Sequence, residues 1–297
     1  MKKIAILVVT YNRKELLLEN INALLHQTLK GSTIFIIDNN STDGTKEMIK
    51  ALDIPEIQYF NTGSNLGGAG GFSFGLNEVL KRDFDYCWIM DDDTIPEPEA
   101  LKSLCDKADL LHDDFSFISS IVKWTDGKLC KMNIPGWKRS RLNGFEGMEN
   151  HLLRIATSSF VSLFVNLKIA HEIGLPIKEF FIYGDDCEYT LRLSKIKPGY
   201  WDLDSIVLHK MRANQGINIA TEGEDRLERH YYNIRNLTYI AKKYGWDGIP
   251  TCIINVFGGV INVLLHAETK KMKRIGIIIK GFFSGIFFNP KIVREYQ

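Results

Sequence analysis

The sequence has 297 residues, of which 45% are hydrophobic and 25% charged, so the chain can bury a core and is not disordered. Lysine and arginine total 37 and aspartate and glutamate 36, and the net charge of +1 argues against nucleic-acid binding through a broad basic face. The five cysteines form no Cys-x-x-Cys pair, and the N-terminal stretch lacks the apolar core of a signal peptide. We therefore expect a protein of a reducing compartment, with no nucleic-acid partner.

Apolar runs alternate with helical patterns over residues 1–95. The predicted strands are residues 4–9, 34–37, 57–60 and 86–90. The predicted helices are residues 13–27, a helix that begins after a cap at Ser41 or Thr42, and residues 67–81. Strands that are apolar throughout and alternate with helices are typical of a parallel sheet with helices on both faces. Such a sheet binds ligands, nucleotides in particular, beyond the carboxyl ends of its strands.

The next part of the chain mixes strands with helices and a polar loop at 128–150. Its predicted strands are residues 117–122, 158–165 and 200–208. A helix is predicted at 225–243, because apolar residues recur there at helical spacing and form a single face.

Two apolar segments follow that helix. Residues 249–266 are apolar but contain Asn255 and Asn262, and their number is at the lower limit for a bilayer-spanning helix. Residues 267–297 carry seven basic and two acidic side chains among apolar ones. This pattern predicts either peripheral contact with an anionic bilayer or a helix pair that packs on the domain with a solvated basic edge. A spanning helix is the less favoured alternative.

Three aspartates, Asp91, Asp92 and Asp93, directly follow a predicted strand. Adjacent carboxylates at the carboxyl edge of a sheet repel one another unless a cation joins them. Mg²⁺ and Mn²⁺ bind carboxylate oxygens while keeping coordination sites open for phosphate. His209 ends the last predicted strand, where it is either a structural histidine or a third metal ligand. The pattern favours a divalent metal site over a solvated acidic turn.

Polar residues also follow the first two predicted strands. Thr10, Asn12 and Arg13 end the first strand, where Arg13 faces either a phosphate or solvent. Asp38 ends the second strand, in a position to accept a hydrogen bond from a nucleobase or a ribose.

A glycine-rich turn at 65–71 leads into the helix predicted at 67–81. It is not a Walker sequence, because no Gly-Lys-Ser or Gly-Lys-Thr follows it. Small residues such as Gly67 and Gly68 at a helix start let backbone N–H groups approach a ligand closely. The turn is therefore a candidate ligand contact, although it is not specific to one ligand.

The run 181–192 places three carboxylates, those of Asp185, Asp186 and Glu188, within four positions. On a helix Asp185 and Glu188 share one face, and Glu188 can pair with Arg192 one turn later. This spacing favours a structural role for Glu188 and leaves an aspartate free to act as a base.

Taken in order, these motifs resemble the inverting glycosyltransferases of family 2 with the GT-A fold. Within that family they look most like bacterial galactofuranosyltransferases, with rhamnosyltransferases second. The resemblance covers about residues 3–245 and rests on residues 9–13, 38–45, 65–72, 91–93, 185–189 and His209. It implies an α/β, Rossmann-like fold whose mostly parallel central sheet has helices on both faces and is followed by a C-terminal helical region.

The implied domains are a GT-A domain at 1–222 and a C-terminal helical region at 223–297 with possible membrane-surface contact. The first domain divides into a nucleotide-sugar half at about 1–95 and an acceptor half at about 96–222.

The resemblance also assigns roles to single residues. The implied ligands of Mn²⁺ or Mg²⁺ are Asp91, Asp93 and His209. The implied catalytic base is Asp186, with Asp185 and Glu188 beside it. The implied donor-binding residues are Thr10, Asn12, Arg13, Asp38, Asn65, Gly67, Gly68 and Asp92.

The implied reaction is a metal-dependent, inverting transfer of one sugar to a hydroxyl of a glycan or polyprenyl-linked glycan, as in O-antigen or capsule assembly. The turn at 65–71 together with residues 91–93 favours UDP-galactofuranose as the donor over dTDP-rhamnose. The Gln-x-x-Arg-Trp signature of processive synthases is absent from the sequence, which favours transfer of one sugar over polymerisation. The implied location is the cytoplasm, peripheral on the inner face of the cell membrane.

Two alternatives come from other classes. A nucleotidyltransferase would also need carboxylates, a metal and a nucleotide, but it should carry a glycine-rich first turn, which residues 9–12 do not form. A non-catalytic membrane-surface module would leave the acidic clusters with only a structural role.

Overall fold

The computed structural model describes residues 2–136, 147–245 and 248–294, so the predicted polar loop at 128–150 falls partly outside the described residues. The strands are β1 (Ile4–Thr10), β2 (Thr33–Asp38), β3 (Ile57–Asn61), β4 (Tyr86–Asp91), β5 (Thr94–Pro96), β6 (Phe117–Lys123), β7 (Leu152–Ile155), β8 (Leu163–Asn166) and β9 (Gly199–His209). The helices are α1 (Lys14–Leu25), α2 (Thr45–Leu52), α3 (Gly67–Leu80), α4 (Ala100–Leu110), α5 (Leu167–Ile173), α6 (Asp185–Ile196), α7 (Arg229–Tyr244), α8 (Gly248–His266) and α9 (Lys271–Phe287).

The strands form a mixed sheet in the order β3-β2-β1-β4-β8-β6-β9-β5, with β7 also paired to β9. Strands β3, β2, β1 and β4 are parallel to one another, as the alternating pattern of the first 95 residues predicts. Beyond them β8 is antiparallel to both β4 and β6, whereas β9 is parallel to β6 and antiparallel to β5. The predicted fold class, a largely parallel sheet followed by a helical region, is confirmed.

Helices cover both faces of the sheet, which is why its central strands are apolar throughout. All seven residues of β1 are buried, and successive side chains point to opposite faces. Ile6 and Val8 belong to the core that α1 and α4 cover. Leu7 and Val9 belong to the core on the other face, beneath α3 and α6.

Glycines let α3 lie against the sheet at short range. A Cβ atom at Gly75 would stand 2.4 Å from Leu7 Cδ1, and one at Gly71 would stand 2.6 Å from Val9 Cγ1. Both distances are far shorter than a carbon–carbon contact allows. The close packing holds the start of α3 beside the carboxyl edge of β1.

The predicted cap of α2 is wrong. The helix begins at Thr45, behind Gly44 with a φ of +85°, instead of after Ser41 or Thr42. Ser41 Oγ accepts the backbone N–H of Asn12, so this side chain joins two loops and does not cap a helix.

Other predicted boundaries shift because tertiary contacts decide them. Helix α7 begins at Arg229 instead of residue 225, since Glu224–Arg226 form a 3₁₀ turn. The strand predicted at 158–165 is formed only from Leu163 onward, as β8, and the short antiparallel strands β5 and β7 were not predicted.

The helices α7, α8 and α9 pack together beside the sheet. Helix α9 approaches α7 closely, because a Cβ at Gly285 would lie 2.6 Å from the Arg235 carbonyl oxygen and one at Gly281 3.0 Å from that of Tyr231. Among the described helices, none combines the length and the hydropathy needed to cross a bilayer.

Candidate active site

The carboxyl ends of β1, β2 and β4 meet at one edge of the sheet and bring the predicted site residues together. Thr10 is level with Asp38 of β2, and Val9 is level with Asp91 of β4. Thr10 Oγ1 donates to Asp92 Oδ2 at 2.8 Å, which ties the end of β1 to the aspartate triplet.

Arg13 partly neutralises the aspartates. Its Nη1 atom lies 3.1 Å from Asp92 Oδ1 and 2.7 Å from Asp93 Oδ2, while the arginine side chain itself stays 47% exposed. Both acids are buried, so the nearby guanidinium offsets part of the cost of keeping them ionised. The exposed part of the guanidinium remains available to an anionic ligand.

Strand pairing brings His209 to the same edge. The antiparallel register of β5 and β9 places Thr94 opposite His209, and His209 Nε2 lies 3.0 Å from Asp93 Oδ1. Potential ligand atoms of Asp91, Asp93 and His209 all lie within 4.8 Å of one another. Carboxylates with one imidazole suit Mn²⁺ and similar divalent ions.

A buried oxygen supports the fit of a cation at this cluster. Asp93 Oδ1 is buried and lies 3.0 Å from His209 Nε2, which forms an ion pair with it when the imidazole is protonated. When the ring is neutral with its proton on Nδ1, this oxygen has no hydrogen bond within the described part of the chain, and a divalent ion would satisfy it.

Without a metal ion, the buried charges of the cluster shift one another's pKa values. Loss of water around Asp91, with Asp93 and Asp92 nearby, raises the pKa of Asp91 to about 7. Burial would raise the pKa of Asp93 too, but His209 and Arg13 outweigh it and lower that pKa. Burial would lower the pKa of His209, but Asp93 and Asp91 raise it to about 10. A bound divalent ion would replace the proton on His209 as the compensating charge.

Asn133 fixes the orientation of the His209 ring, a role that no sequence pattern indicates. Its Oδ1 atom lies 2.9 Å from His209 Nδ1, and its Nδ2 donates to Ser159 Oγ at 2.9 Å. In the neutral ring this contact keeps the proton on Nδ1, where it is donated to Asn133. The lone pair of Nε2 then faces the aspartates, as a metal ligand requires.

Two of the residues predicted to bind the sugar-nucleotide donor stabilise the loops after β1 and β2. Asp38 is fully buried, and its carboxylate accepts the Ser41 N–H at 2.8 Å and the Tyr59 hydroxyl at 2.6 Å. Asn12 has a φ of +53°, and its Oδ1 accepts the Thr42 N–H at 2.8 Å. Both side chains therefore shape the rim of the site in addition to any contact they make with a ligand.

The glycine-rich turn lies next to the segment that precedes α6. Asn65 Oδ1 accepts the Gly67 N–H at 2.9 Å, and Gly67 has a φ of +73°. A Cβ at Gly67 would lie 2.2 Å from the Phe181 carbonyl oxygen, so this glycine is required by the protein's own packing. Gly68, by contrast, faces open space among the described residues.

The first turn of α6 carries the predicted base, Asp186, and its predicted neighbour Asp185. Gly184, with a φ of +80°, precedes the helix, and Asp185 and Asp186 begin it. Loss of water around Asp186 raises its pKa to about 6 even though Asp186 Oδ1 accepts the Cys187 N–H at 2.7 Å. Burial raises the pKa of Asp185 well above its usual range, and both Asp186 and Asp91 add to the rise. Asp185 is therefore close enough to the aspartate triplet to sense its charge.

Glu188 instead forms a buried ion pair with Arg192. Arg192 donates from Nε to Glu188 Oε1 at 2.8 Å and from Nη2 to Oε2 at 3.0 Å, and the Tyr244 hydroxyl also bonds Oε1. Glu188 is fully buried. The predicted pairing of Glu188 with Arg192 is confirmed, and it occupies both oxygens of the glutamate.

The segment before α6 is fixed by a residue that sequence reasoning missed. Asn236 of α7 donates from Nδ2 to the carbonyl oxygens of Phe180, Ile182 and Tyr183, at 3.0, 3.1 and 2.7 Å. No local pattern signals this contact, because 53 to 56 positions separate the partners.

Comparison with known proteins agrees with this architecture. The pattern of the family described as Glycosyl transferase family 2 matches residues 5–167. Galactofuranosyltransferase GlfT1 of Mycolicibacterium smegmatis is 25% identical over 258 residues, which are 80% of this chain and 82% of the relative.

Solved structures show the same fold. S. aureus TarS 1-349 superposes with a TM-score of 0.56 at 16% identity, covering 96% of this chain and 72% of that one. A second structure is the mannosyltransferase PcManGT from Pyrobaculum calidifontis in complex with GDP-Man and Mn²⁺. It superposes with a TM-score of 0.58 at 14% identity, covering 97% of this chain and 76% of that one. The chain belongs to glycosyltransferase family 2 and is a glycosyltransferase with the GT-A fold.

Proposed function

We propose that this enzyme transfers a single galactofuranose, in a metal-dependent, inverting and non-processive reaction, from UDP-galactofuranose to a hydroxyl of a glycan or polyprenyl-linked glycan in cell-surface polysaccharide assembly. The observation that carries the proposal is the cluster of Asp91, Asp93 and His209 at the sheet edge, whose Asp91 contributes to the raised pKa of Asp185, the residue before Asp186. Family membership sets aside the nucleotidyltransferase and the non-catalytic module.

The donor side of the site would use the aspartate triplet. Asp91, Asp93 and His209 would hold Mn²⁺ or Mg²⁺, which supplies positive charge to offset that of a leaving nucleoside diphosphate. Arg13, half exposed beside Asp92 and Asp93, is placed to donate to a phosphate oxygen.

Other residues would receive the nucleotide and the sugar. Thr10 holds Asp92 in place, and Asn12 and Asp38 shape the loops of the rim. The open space at Gly68 lets a ligand approach the backbone at the start of α3, with Asn65 and Gly67 forming the turn.

The acceptor side would use Asp186 as general base. Its raised pKa, about 6, leaves the carboxylate ionised at neutral pH and still basic enough to take the proton of an acceptor hydroxyl. The oxygen then attacks the anomeric carbon on the face opposite the leaving diphosphate, so the configuration inverts. Asp185 is adjacent to this base in the chain, and its raised pKa, to which burial, Asp186 and Asp91 contribute, keeps negative charge from accumulating there.

The donor assignment draws support from the galactofuranosyltransferase similarity over 80% of the chain. The test is product analysis with UDP-galactofuranose and dTDP-rhamnose, each with Mn²⁺, with Mg²⁺ and with a chelator. The acceptor is a short glycan on a polyprenyl diphosphate, and Asp186→Asn is the inactive control. Transfer of galactofuranose that stops on chelation is expected; transfer of rhamnose alone would overturn the donor, and full activity in chelator would overturn metal dependence.

We also propose peripheral contact with the inner face of the cytoplasmic membrane through α8 and α9. Helix α8 exposes large apolar side chains in a row along its outer side, including Ile254 at 66% and Phe257 at 66% exposure. Lys271, Lys273 and Lys280 of α9 are also exposed, and their charge would suit anionic lipid headgroups.

Sedimentation with anionic vesicles tests the contact. Phe257→Glu should lower the bound fraction, whereas the matched control Leu110→Glu, at an exposed leucine of α4, should not. High salt should release a good part of the wild-type protein. Binding that is equal in both variants would refute this surface.

A further inference from the structure

The segment that leads into Asp185 and Asp186 has a strained backbone. Phe181 has φ 64° and ψ −56°, and the Ile182 N–H bonds the Phe180 carbonyl oxygen at 2.7 Å, which makes a tight three-residue turn of a rare kind. Tyr183 follows with a φ of +66°. Residues with side chains adopt such conformations only where surrounding contacts impose them.

Asn236 supplies those contacts from the opposite side of the segment. Its side chain is fully buried, and its amide nitrogen is shared among the carbonyl oxygens of Phe180, Ile182 and Tyr183. Its Oδ1 accepts the Nε–H of Arg235 at 2.9 Å, which fixes which end of the amide faces the segment.

The neighbouring arginine reinforces this arrangement. Arg235 Nη2 donates to the Glu179 carbonyl oxygen at 2.6 Å, and its guanidinium lies 4.1 Å from the centre of the Phe288 ring. On the side that faces α3, the Phe181 carbonyl oxygen accepts the Ala69 N–H at 3.2 Å. Residues 180–183 are therefore held between α3 and α7.

Only Gly184 separates this segment from the acidic pair. Gly184 has no side chain that could anchor it independently, so the backbone direction at Tyr183 sets where α6 begins. A change at residues 180–183 would displace the carboxylates of Asp185 and Asp186 relative to the cluster at the sheet edge.

We infer that Asn236 is a positioning residue: it holds residues 180–183 in the conformation that orients Asp185 and Asp186 toward the bound substrates. The inference rests on the proposed role of Asp186 as the base. Asn236 lies beyond residues 5–167, so the family match does not include it. A displacement of about 1 Å can lower a rate about 100-fold, because proton transfer needs close alignment.

Steady-state kinetics of the full chain tests the inference. Asn236→Ala should lower kcat about 100-fold while the KM for the sugar nucleotide stays within about threefold, because the donor is held at the sheet edge. Asn236→Asp has equal size but cannot donate when it is ionised, so it should show the same fall in kcat with a nearly unchanged KM. The matched control is Asn233→Ala, which changes a partly buried asparagine one turn earlier on α7 and should leave both constants near wild type.

A double variant distinguishes loss of positioning from loss of folding. In Asn236→Ala with Tyr183→Gly, glycine adopts the positive φ without strain, so kcat should recover at least fivefold over the single variant. A purely structural role would lower the unfolding temperature without this recovery.

The outcomes separate this inference from the proposed base. Wild-type kcat in Asn236→Ala, while Asp186→Asn is inactive, would refute the positioning role alone. Wild-type kcat in Asp186→Asn would instead refute the base, whatever Asn236→Ala does. An equal loss in Asn233→Ala would also refute the positioning role, because the effect would then belong to α7 as a whole.

Discussion

Replacing Arg192 by methionine should strongly destabilise the protein, because Arg192 holds α6 in the core. Its guanidinium makes two bonds to Glu188 and donates to the carbonyl oxygens of Ile173 and Leu175 at 2.7 and 2.8 Å. Methionine has a similar volume but would leave the Glu188 charge buried without its partner. Breaking a buried pair on one side costs about 3–5 kcal/mol.

That cost is a large fraction of a typical folding free energy, which is about 5–15 kcal/mol. The melting temperature should accordingly fall by roughly 5–8 °C, because the entropy of unfolding is about 2.1 cal/mol/K per residue. Urea unfolding followed by circular dichroism gives the free energy, and a thermal melt gives the temperature.

A double variant separates the pair from its surroundings. In Glu188→Leu with Arg192→Met both charges are gone, so no buried charge remains, and the loss should be smaller than in Arg192→Met alone. Losses of the two single variants that simply add in the double variant would refute the reasoning, as would a single-variant cost below about 1 kcal/mol. Assayed below its melting temperature, Glu188→Gln should keep near-normal kcat.

Further predictions concern the metal cluster, the base and the glycines. Asp93→Ala should abolish Mn²⁺-dependent donor binding in calorimetry, and His209→Ala should weaken Mn²⁺ binding less completely; wild-type metal affinity in both would contradict the ligand assignment. Because a base must be deprotonated and the pKa of Asp186 is about 6, kcat should fall about tenfold per pH unit below pH 6 and level off above it, and a rate profile flat down to pH 4.5 would exclude this base. Gly75→Ala should cost about 1–3 kcal/mol of unfolding free energy by overpacking. Gly68→Ala, which meets open space, should leave unfolding unchanged and weaken only donor binding.

Sequence reasoning was accurate where the signal is local. The apolar strands and the acids that follow them could be read directly, because burial on both faces dictates the strand composition and parallel strands end at one edge. The pairing of Glu188 with Arg192 followed from helical spacing alone.

Sequence reasoning failed where the contact that gives a residue its role comes from a distant part of the chain. Asn133 and Asn236 show no periodicity and become important only when folding brings them to His209 and to residues 180–183. Similarly, the need for glycine at residue 67 comes from the Phe181 carbonyl oxygen, more than a hundred positions away. Short antiparallel strands such as β5 also escape prediction, because three residues carry too little pattern.

The close approach of α9 to α7 has a consequence for engineering. At Gly285 the two helices touch through backbone and Thr238, and the preceding turn of α7 carries Arg235 and Asn236. A chimaera that exchanges the C-terminal helices between relatives therefore also replaces the scaffold of residues 180–183. Grafts that aim to alter membrane or acceptor preference should move residues 179–184 and 229–288 as one cassette, so that both sides of this contact come from the same parent.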